Sequence, residues 1–331
     1  MQLGVRGKIV NSLISFLSNR SHNTNILGNK SSFSNITCGV PQGTVTGPKL
    51  FVILINGDKC SFVSNYKFVD DKTLSYTYSG DPTKTLQEAL DIELNQTKED
   101  KMIINESKCN VITFNFSKHN VPPQNLRLND NILNPIDKIK LLGVILTSDL
   151  KWTENTTNIC SKINRKLYLI RKLKDYGFQK EELIKAWVSI LRPIAEYAVQ
   201  LWHPGLSQYD SNRIEMLQKR MLCIVLGTIR VNNKICYKVE DGHKPYEEAL
   251  QMYGLITMKK RRVVLTSKFA LDVARSEKHN GMFIKKYNNY MSTRNRFVLE
   301  EPFCKTDRYF NSAVPHLSRV LNGVFISTKK N

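Results

Sequence analysis

The apolar positions change their period along the chain, and those changes lay out its elements. From Lys8 to Leu17, the residues Ile9, Leu13, Ile14 and Leu17 recur at helical spacing and predict a helix. Asn25-Ile26-Leu27, the turn residues Gly28-Asn29-Lys30 and residues 33–37 predict a short hairpin. Residues 39–48 form a loop rich in glycine and proline, followed by the apolar run 50–55. Residues 66–69 and 74–76 read as two strands that meet at Asp70-Asp71. Residues 83–102 predict a helix with Leu86, Leu90 and Leu94 on one stripe. Residues 110–116 and 138–146 read as strands separated by a proline-containing connection. The first 148 residues thus mix strands and helices, as an α+β domain does.

Beyond Leu150 the alternation stops and helical spacing takes over. Residues 155–174, 180–200 and 209–226 each predict a helix, with Gly177 and Pro204-Gly205 as breakers between them. Residues 246–275 continue the helical pattern and carry the run Lys259-Lys260-Arg261-Arg262. The expected division is therefore 1–148, then a helical stretch 149–230, then a basic helical extension 231–331. In the helix at 155–174, Ile159, Ile163, Leu167 and Ile170 form an apolar stripe, with Lys162, Arg165, Lys166, Arg171 and Lys172 beside or away from it. Such a helix packs on a neighbour and either offers cations to a phosphate backbone or presents an ordinary solvated face. The cluster at 259–262 leaves open RNA binding, a nuclear signal or neither. Trp187, Tyr197 and Trp202 are read as core.

Charge adds a direction. Lys and Arg number 49 against 29 Asp and Glu, a net charge of +20 in 331 residues. A surplus of that size favours a polyanionic partner, because neutralised phosphates release condensed counterions. The 7 cysteines are odd in number and widely spaced, with no CxxC, which argues against a disulfide framework or zinc finger. Reduced thiols suit an intracellular protein, cytoplasmic or nuclear. No stretch approaches the ~18 apolar residues a membrane helix needs. No obligate protein partner is indicated by the sequence.

Two segments carry the chemistry. Adjacent carboxylates at a strand–turn–strand tip, as in Phe68-Val69-Asp70-Asp71, repel one another unless a cation relieves them. Hard oxygen ligands on a rigid hairpin suit Mg²⁺, whereas an isolated Asp-Asp pair is most simply a polar turn. The loop Gly39-Val40-Pro41-Gln42-Gly43-Thr44-Val45-Thr46-Gly47-Pro48 precedes the pair by about one helix and one strand. Its glycines at 39, 43 and 47 allow close backbone approach to a ligand, and Pro41 and Pro48 stiffen it.

Loop and aspartates in this order resemble the reverse transcriptases of non-LTR retrotransposons of the jockey kind, whose pattern is Gly-Val-Pro-Gln-Gly-Ser-x-Leu-Gly-Pro followed by Phe-Ala-Asp-Asp. The likeness continues through Asn105-Glu106-Ser107-Lys108-Cys109, Leu142-Gly143-Val144 and Leu150-Lys151-Trp152. Further on, Arg192-Pro193 to Tyr197, Trp202-His203-Pro204, Ile214 to Arg220, Arg308 to Pro315 and Leu321-Asn322 are similar to later blocks of the family.

The resemblance implies a partial polymerase palm in 1–148, a thumb-like region in 149–230 and the basic extension after it. Asp70 is then a metal ligand and Asp71 its neighbour at the metal. Gly39, Pro41, Gln42 and Gly43 lie against template and incoming nucleotide. Lys108 is either near the triphosphate or a solvated surface lysine. Leu142, Gly143 and Val144 form a strand that grips the primer, and Lys162, Arg165 and Lys166 meet the nucleic-acid backbone. The implied partners are an RNA template, a DNA primer and deoxynucleoside triphosphates, with two Mg²⁺ ions clamping the reacting phosphate.

Two departures temper the activity. The family carries a further catalytic aspartate in Asp-x-x-x-Ala-Phe-Asp on an earlier strand, and the chain has no acidic residue before Asp58. The expectation is an N-terminally truncated copy with an incomplete two-metal site, inactive alone, or a non-catalytic RNA- or DNA-binding remnant. In addition, Gly57-Asp58, Lys72-Thr73, Thr46 and Lys49 differ from the family pattern, and Lys49 within an apolar stretch risks a buried charge.

Overall fold

The computed structural model describes residues 6–56, 62–78, 83–116, 125–277, 279–287 and 297–327. Its chain divides into two units, Met1–Val111 with Ser117–Pro135, and Ile112–Phe116 with Ile136–Asn331. The Gly57-Asp58 departure lies outside the described residues.

In the first unit the helical spacing of the opening residues yields helix α1 (Lys8–Leu17). The predicted hairpin is longer than its apolar pattern suggests. β1 (Arg20–His22) and β4 (Ser34–Ile36) pair outside an inner pair, β2 (Asn25–Ile26) and β3 (Asn29–Lys30). Leu27 and Gly28 turn the inner pair with φ 48° and 91°. Arg20-Ser21-His22 has no apolar alternation, so its strand shows only in the pairing. The apolar run after the glycine loop is helix α2 (Thr46–Ile55), and Pro48 fits its first turn, where no intrahelical N–H donor is required. Lys49 is exposed on α2, so the feared buried charge does not arise.

β5 (Ser64–Phe68) and β6 (Asp71–Ser75) form the aspartate hairpin, and α3 (Thr83–Glu99) follows. Val63 and Ala89 are buried, with Leu74 and Ile92 packed against them. β7 (Leu126–Leu128) and β8 (Asn131–Leu133) lie beside α3, where the Gln87 side-chain amide bonds both backbone groups of Arg127 at 2.8 and 2.9 Å. Residues 110–116 are not a strand. Alternation supplies a face but a strand also needs a ladder partner, and only Val111 finds one, at Pro135.

The second unit opens with β9 (Lys138–Leu141) and β10 (Val144–Thr147), an antiparallel hairpin where one strand was predicted. Leu142 and Gly143, at φ 45° and 87°, turn the chain in the middle of the apolar run. Helix α4 (Thr153–Asp175) buries Ile159, Ile163, Leu167 and Ile170, the predicted stripe. The predicted helix at 180–200 is instead segmented into α5 (Lys180–Ala186), a π-turn at Trp187–Leu191, α6 (Arg192–Glu196) and α7 (Val199–Trp202). Pro193 has no N–H to donate into the preceding turn, and Ala198 at φ 51° breaks the chain before α7.

Helix α8 (Gln208–Leu226) lies parallel to α4, as the ascending contacts Thr153–Asp210, Thr157–Arg213 and Asn164–Arg220 require. Trp187, Trp202, Leu191, Ile214, Met221 and Leu222 are fully buried in this core. The stretch after α8 is not all helical. β11 (Thr228–Val231), β12 (Lys234–Val239) and β13 (Gly242–Lys244) make an antiparallel sheet, with Asn232 and Asn233 at φ 48° and 61° in its first turn. Asn-Asn and Asp-Gly are hairpin signals that the helical pattern on either side obscured.

Gly254 at φ 63° splits the last predicted helix into α9 (Tyr246–Met252) and α10 (Met258–Arg275). β14 (Lys285–Tyr287), β15 (Phe297–Leu299), α11 (Asp307–Phe310) and α12 (Ala313–Ser327) complete the unit. The mixed α+β class holds throughout the described chain.

Candidate functional site

The glycine loop is built from the backbone outward. Gly39 and Gly43 both have φ 78°, which side chains rarely adopt. Gly47 serves a different purpose from ligand approach. It is buried, and a Cβ there would lie 2.8 Å from the Pro41 carbonyl oxygen. Thr44 Oγ1 donates to that same oxygen at 3.0 Å and accepts from the Gly47 N–H at 3.1 Å. The loop is thereby folded onto the first turn of α2. Its other end is held by Arg20, whose Nη2 donates to Gly39 O at 2.6 Å and whose Nε donates to Leu17 O at 3.0 Å. Arg20 was not singled out by the sequence, because only the β1–β4 pairing brings it to the loop. Pro41 is half-buried, and Gln42 and Gly43 are exposed.

Asp70 and Asp71 sit at the tip of the β5–β6 hairpin, with Phe68 paired to Asp71 and only Val69 and Asp70 between them. Val69 has φ 56°, an uncommon conformation for a β-branched residue and a strained way to close the turn. The hairpin is braced close to its tip, at the paired residues Lys67 and Lys72: Lys72 pairs with Glu93 of α3, and Lys67 Nζ donates to Ile55 O at 2.7 Å. That second bond ties the hairpin to the C-terminal end of α2. The glycine loop lies at the other end of this ten-residue helix, about 15 Å along its axis. Among the described residues, no hydrogen bond or ion pair joins the loop to the carboxylates.

Both carboxylates are exposed and offer hard oxygen donors, a set that fits one divalent cation completed by waters and substrate phosphates. A two-ion clamp calls for a further carboxylate. Among the described residues no group of three His, Cys, Asp or Glu side chains gathers to hold a metal. Lys108 is exposed at the end of a short 3₁₀ turn, Glu106–Lys108. That turn is fixed by Glu106, whose carboxylate accepts from Asn129 and Asn131 at the β7–β8 tip and is held below the usual carboxylate range by those bonds.

In the second unit, Leu142 and Gly143 are the turn of the β9–β10 hairpin and Val144 is the first residue of β10, rather than a continuous gripping strand. Arg165 and Lys166 are exposed on α4, and Lys162 is half-buried at the border of the apolar stripe. The basic run at 259–262 is not one patch. Successive residues of α10 point around the helix, so Lys259 and Lys260 face solvent while Arg262 is fully buried. Arg261 meets Glu196 through Nε at 2.9 Å and Nη2 at 3.3 Å.

The later sequence blocks meet in this unit's interior. The Trp152 indole nitrogen lies 2.9 Å from where a Cβ on Gly205 would be, and His203 stands edge-on to His316 at 6.1 Å. Asn322 accepts from the Leu299 N–H at 2.9 Å and donates to its carbonyl at 3.0 Å, closing the edge of β15. Trp187 and Trp202 are core as predicted, but Tyr197 is 57% exposed. It follows the end of α6 and precedes the break at Ala198, so its ring is projected away from the helix core.

Comparison with known proteins agrees with these blocks. Residues 3–146 match the family described as reverse transcriptase (RNA-dependent DNA polymerase). Over 229 residues the chain is 27% identical to the RNA-directed DNA polymerase from mobile element jockey of Drosophila melanogaster, covering 64% of this chain and 24% of that protein. The jockey polymerase of Drosophila funebris is 26% identical over 267 residues, 72% of this chain and 28% of that protein, so the likeness runs beyond residue 146. The probable RNA-directed DNA polymerase from transposon X-element of Drosophila melanogaster is 25% identical over 207 residues, 58% of this chain and 22% of that protein. The chain spans about a quarter of the length of these curated relatives. No solved structure matches it. Residues 3–146 are therefore similar to the reverse transcriptase family, and over most of its length the chain is similar to the RNA-directed DNA polymerases of mobile elements such as jockey.

Proposed function

We propose that the chain is part of an RNA-directed DNA polymerase, in which residues 1–148 supply palm elements, 149–230 a thumb-like helical region and 231–331 a basic extension. The observation that carries this reading is the β5–β6 tip, where a strained two-residue turn presents Asp70 and Asp71 to solvent on a hairpin braced by α2 and α3. Asp70 and Asp71 would hold a divalent cation, which when bound neutralises charge on the triphosphate. Gly39, Pro41, Gln42 and Gly43 would lie along the template and incoming nucleotide, with the loop kept open-backed by its glycines and stiff by the Arg20 and Thr44 bonds. Lys108 would face the phosphates as a cation on a fixed turn. Leu142, Gly143 and Val144 would meet the primer, and Lys162, Arg165 and Lys166 the backbone of an RNA–DNA duplex.

The family's further aspartate has no counterpart before Asp58, so Asp70 and Asp71 would leave a two-metal site incomplete, and this chain by itself is expected not to extend a primer. The test is extension of a DNA primer on an RNA template with Mg²⁺ and deoxynucleoside triphosphates. No product is expected. Robust extension that Asp70→Ala abolishes overturns the inactivity while keeping the family chemistry.

A second reading, nucleic-acid binding without catalysis, is favoured by the exposed cations of α4 and the net charge of +20. Binding to an RNA–DNA hybrid then weakens as salt rises. Replacing Lys162, Arg165 and Lys166 together by Ala should lower the slope of log affinity against log salt by about 2–3, near 0.9 for each phosphate contact. A salt-independent affinity removes this reading.

A further inference from the structure

Tyr197 is, like Tyr168, Tyr176 and Tyr209, an aromatic of the second unit whose placement burial does not account for. Trp187 and Trp202, ten residues before it and five after it, are fully buried, while Tyr197 is 57% exposed. An aromatic side chain left this open gains little from burial. Its backbone is nonetheless held firmly. The Trp202 indole N–H donates to Tyr197 O at 2.9 Å, the Tyr197 N–H donates to Pro193 O at 3.0 Å, and the next residue, Ala198, is locked at φ 51°.

What the projected ring meets is the turn of the β9–β10 hairpin. Tyr197 Oη donates to Leu142 O at 2.7 Å, across 55 residues of sequence. The same ring lies over Gly143, where a Cβ would come within 3.3 Å of Cε1 and 3.7 Å of Cζ. Leu142 and Gly143 both hold positive φ, so this is a turn that an unassisted Leu disfavours. The strands below the turn are fixed separately, by Asn155 Oδ1 accepting from the Ile145 N–H at 3.2 Å and, at the open end, Asp137 O accepting from the Ser148 N–H at 2.8 Å. Only its tip depends on Tyr197.

We propose that Tyr197 is a positioning residue for the Leu142-Gly143 turn, clamping that tip in the form in which it receives the 3′ end of a nucleic-acid strand. The clamp stands on the contacts above, and the ligand rests on the reading of Leu142–Val144 as the primer contact. The hydroxyl fixes the Leu142 carbonyl direction, and the ring crowds any side chain at 143, so the tip keeps one backbone shape.

The experiment compares the full chain with Tyr197→Phe, which keeps the ring and removes the hydroxyl, and Tyr197→Leu, which removes both. Amide exchange at residues 142–145 reads the clamp. Affinity for an RNA–DNA hybrid with a recessed DNA 3′ end, against a blunt hybrid of equal length, reads the ligand. In Tyr197→Phe, exchange at the turn is expected to rise roughly 3- to 10-fold, the worth of one net hydrogen bond. Affinity for the recessed hybrid should fall by a similar factor, and blunt-hybrid affinity should not change. Tyr197→Leu should exceed Tyr197→Phe in both. Unchanged exchange in both variants overturns the clamp. A global loss of stability in Tyr197→Phe also overturns it, by making Tyr197 an ordinary fold element. If the unsubstituted chain binds recessed and blunt hybrids equally, the primer-end reading fails, and the exchange data then judge the clamp alone.

Discussion

Helices α2 and α4 are both written in apolar residues, yet the two units use them differently. α4 turns Ile159, Ile163, Leu167 and Ile170 into a shared core, with none of the four more than 5% exposed. α2 buries only Gly47 and leaves Val52, Ile53 and Leu54 about half exposed, and α1 buries nothing among its described residues. The second unit is therefore held by packing. The first is held by bonds at particular points: Arg20 on Gly39, Thr44 on Pro41, Lys67 on Ile55, Lys72 on Glu93. The unit that carries the candidate chemistry has the smaller core, as expected where low local stability and function coincide.

The sharpest way to break this contrast is to delete apolar volume from both units. Trp202→Ala should cost about 3–5 kcal/mol, since a fully buried indole leaves a cavity and its N–H bond to Tyr197 O is lost. Val52→Ala should stay within about 0.5 kcal/mol, as surface substitutions do. Urea unfolding of both variants checks it. A Val52→Ala cost near that of Trp202→Ala would mean that α2 is covered after all.

A second difference is electrostatic. His203 is pushed down to about 4, first by burial and then by the charges of Arg262, His316 and Lys259, and His316 is lowered by burial and Arg319. In the unfolded chain a histidine titrates near 6.5, so between that value and about 4 the unfolded state binds the extra proton. Stability is thus whole above pH 6.5 and is lost as pH falls towards 4, by about 1–3 kcal/mol for His203 after discounting its partial exposure. Unfolding at pH 7, 5.5 and 4.5 should show this slope, and His203→Leu should flatten it. Asp149 is held at about 2 mainly by its bond from Thr147, so its contribution fades only below that window.

How much of this was legible follows the range of the interactions. The α4 stripe, the aspartate hairpin and the glycine loop were readable because each is set by neighbours a few residues apart. The β11–β13 sheet was missed although Asn232-Asn233 signals a turn, because strong helical spacing flanks it on both sides. Arg20 on Gly39, Tyr197 on Leu142 and Asn322 on Leu299 join residues 19, 55 and 23 positions apart, and no local period encodes them. The glycines were read as open to a ligand, which leaves out Gly47, whose neighbour is the Pro41 carbonyl.

That glycine offers a test within the weaker unit. Gly47→Ala places a Cβ 2.8 Å from a backbone oxygen and 3.0 Å from Thr44 Oγ1, so loop and helix must separate. A loss of about 1–3 kcal/mol is expected, the usual cost of overpacking. Amide exchange across residues 39–50 should rise with it. An unchanged profile would mean that the loop yields freely, and that the point contacts do not hold the first unit.

The smallest effect is expected at the tip itself, and its sign is the informative part. Val69 at φ 56° places a β-branched side chain in the left-handed region, at roughly 1–2 kcal/mol of strain. Asn tolerates that region, so Val69→Asn should stabilise the β5–β6 hairpin by about 1 kcal/mol, seen as slower amide exchange at residues 66–73. Val69 is 58% exposed, so little burial is forfeited in the exchange. The aspartates remain in place, and any effect on divalent-cation binding then reads turn geometry rather than charge. Faster exchange in Val69→Asn would mean that the valine contributes packing that outweighs its backbone strain, and the first unit would then rest on apolar contacts more than on its point bonds.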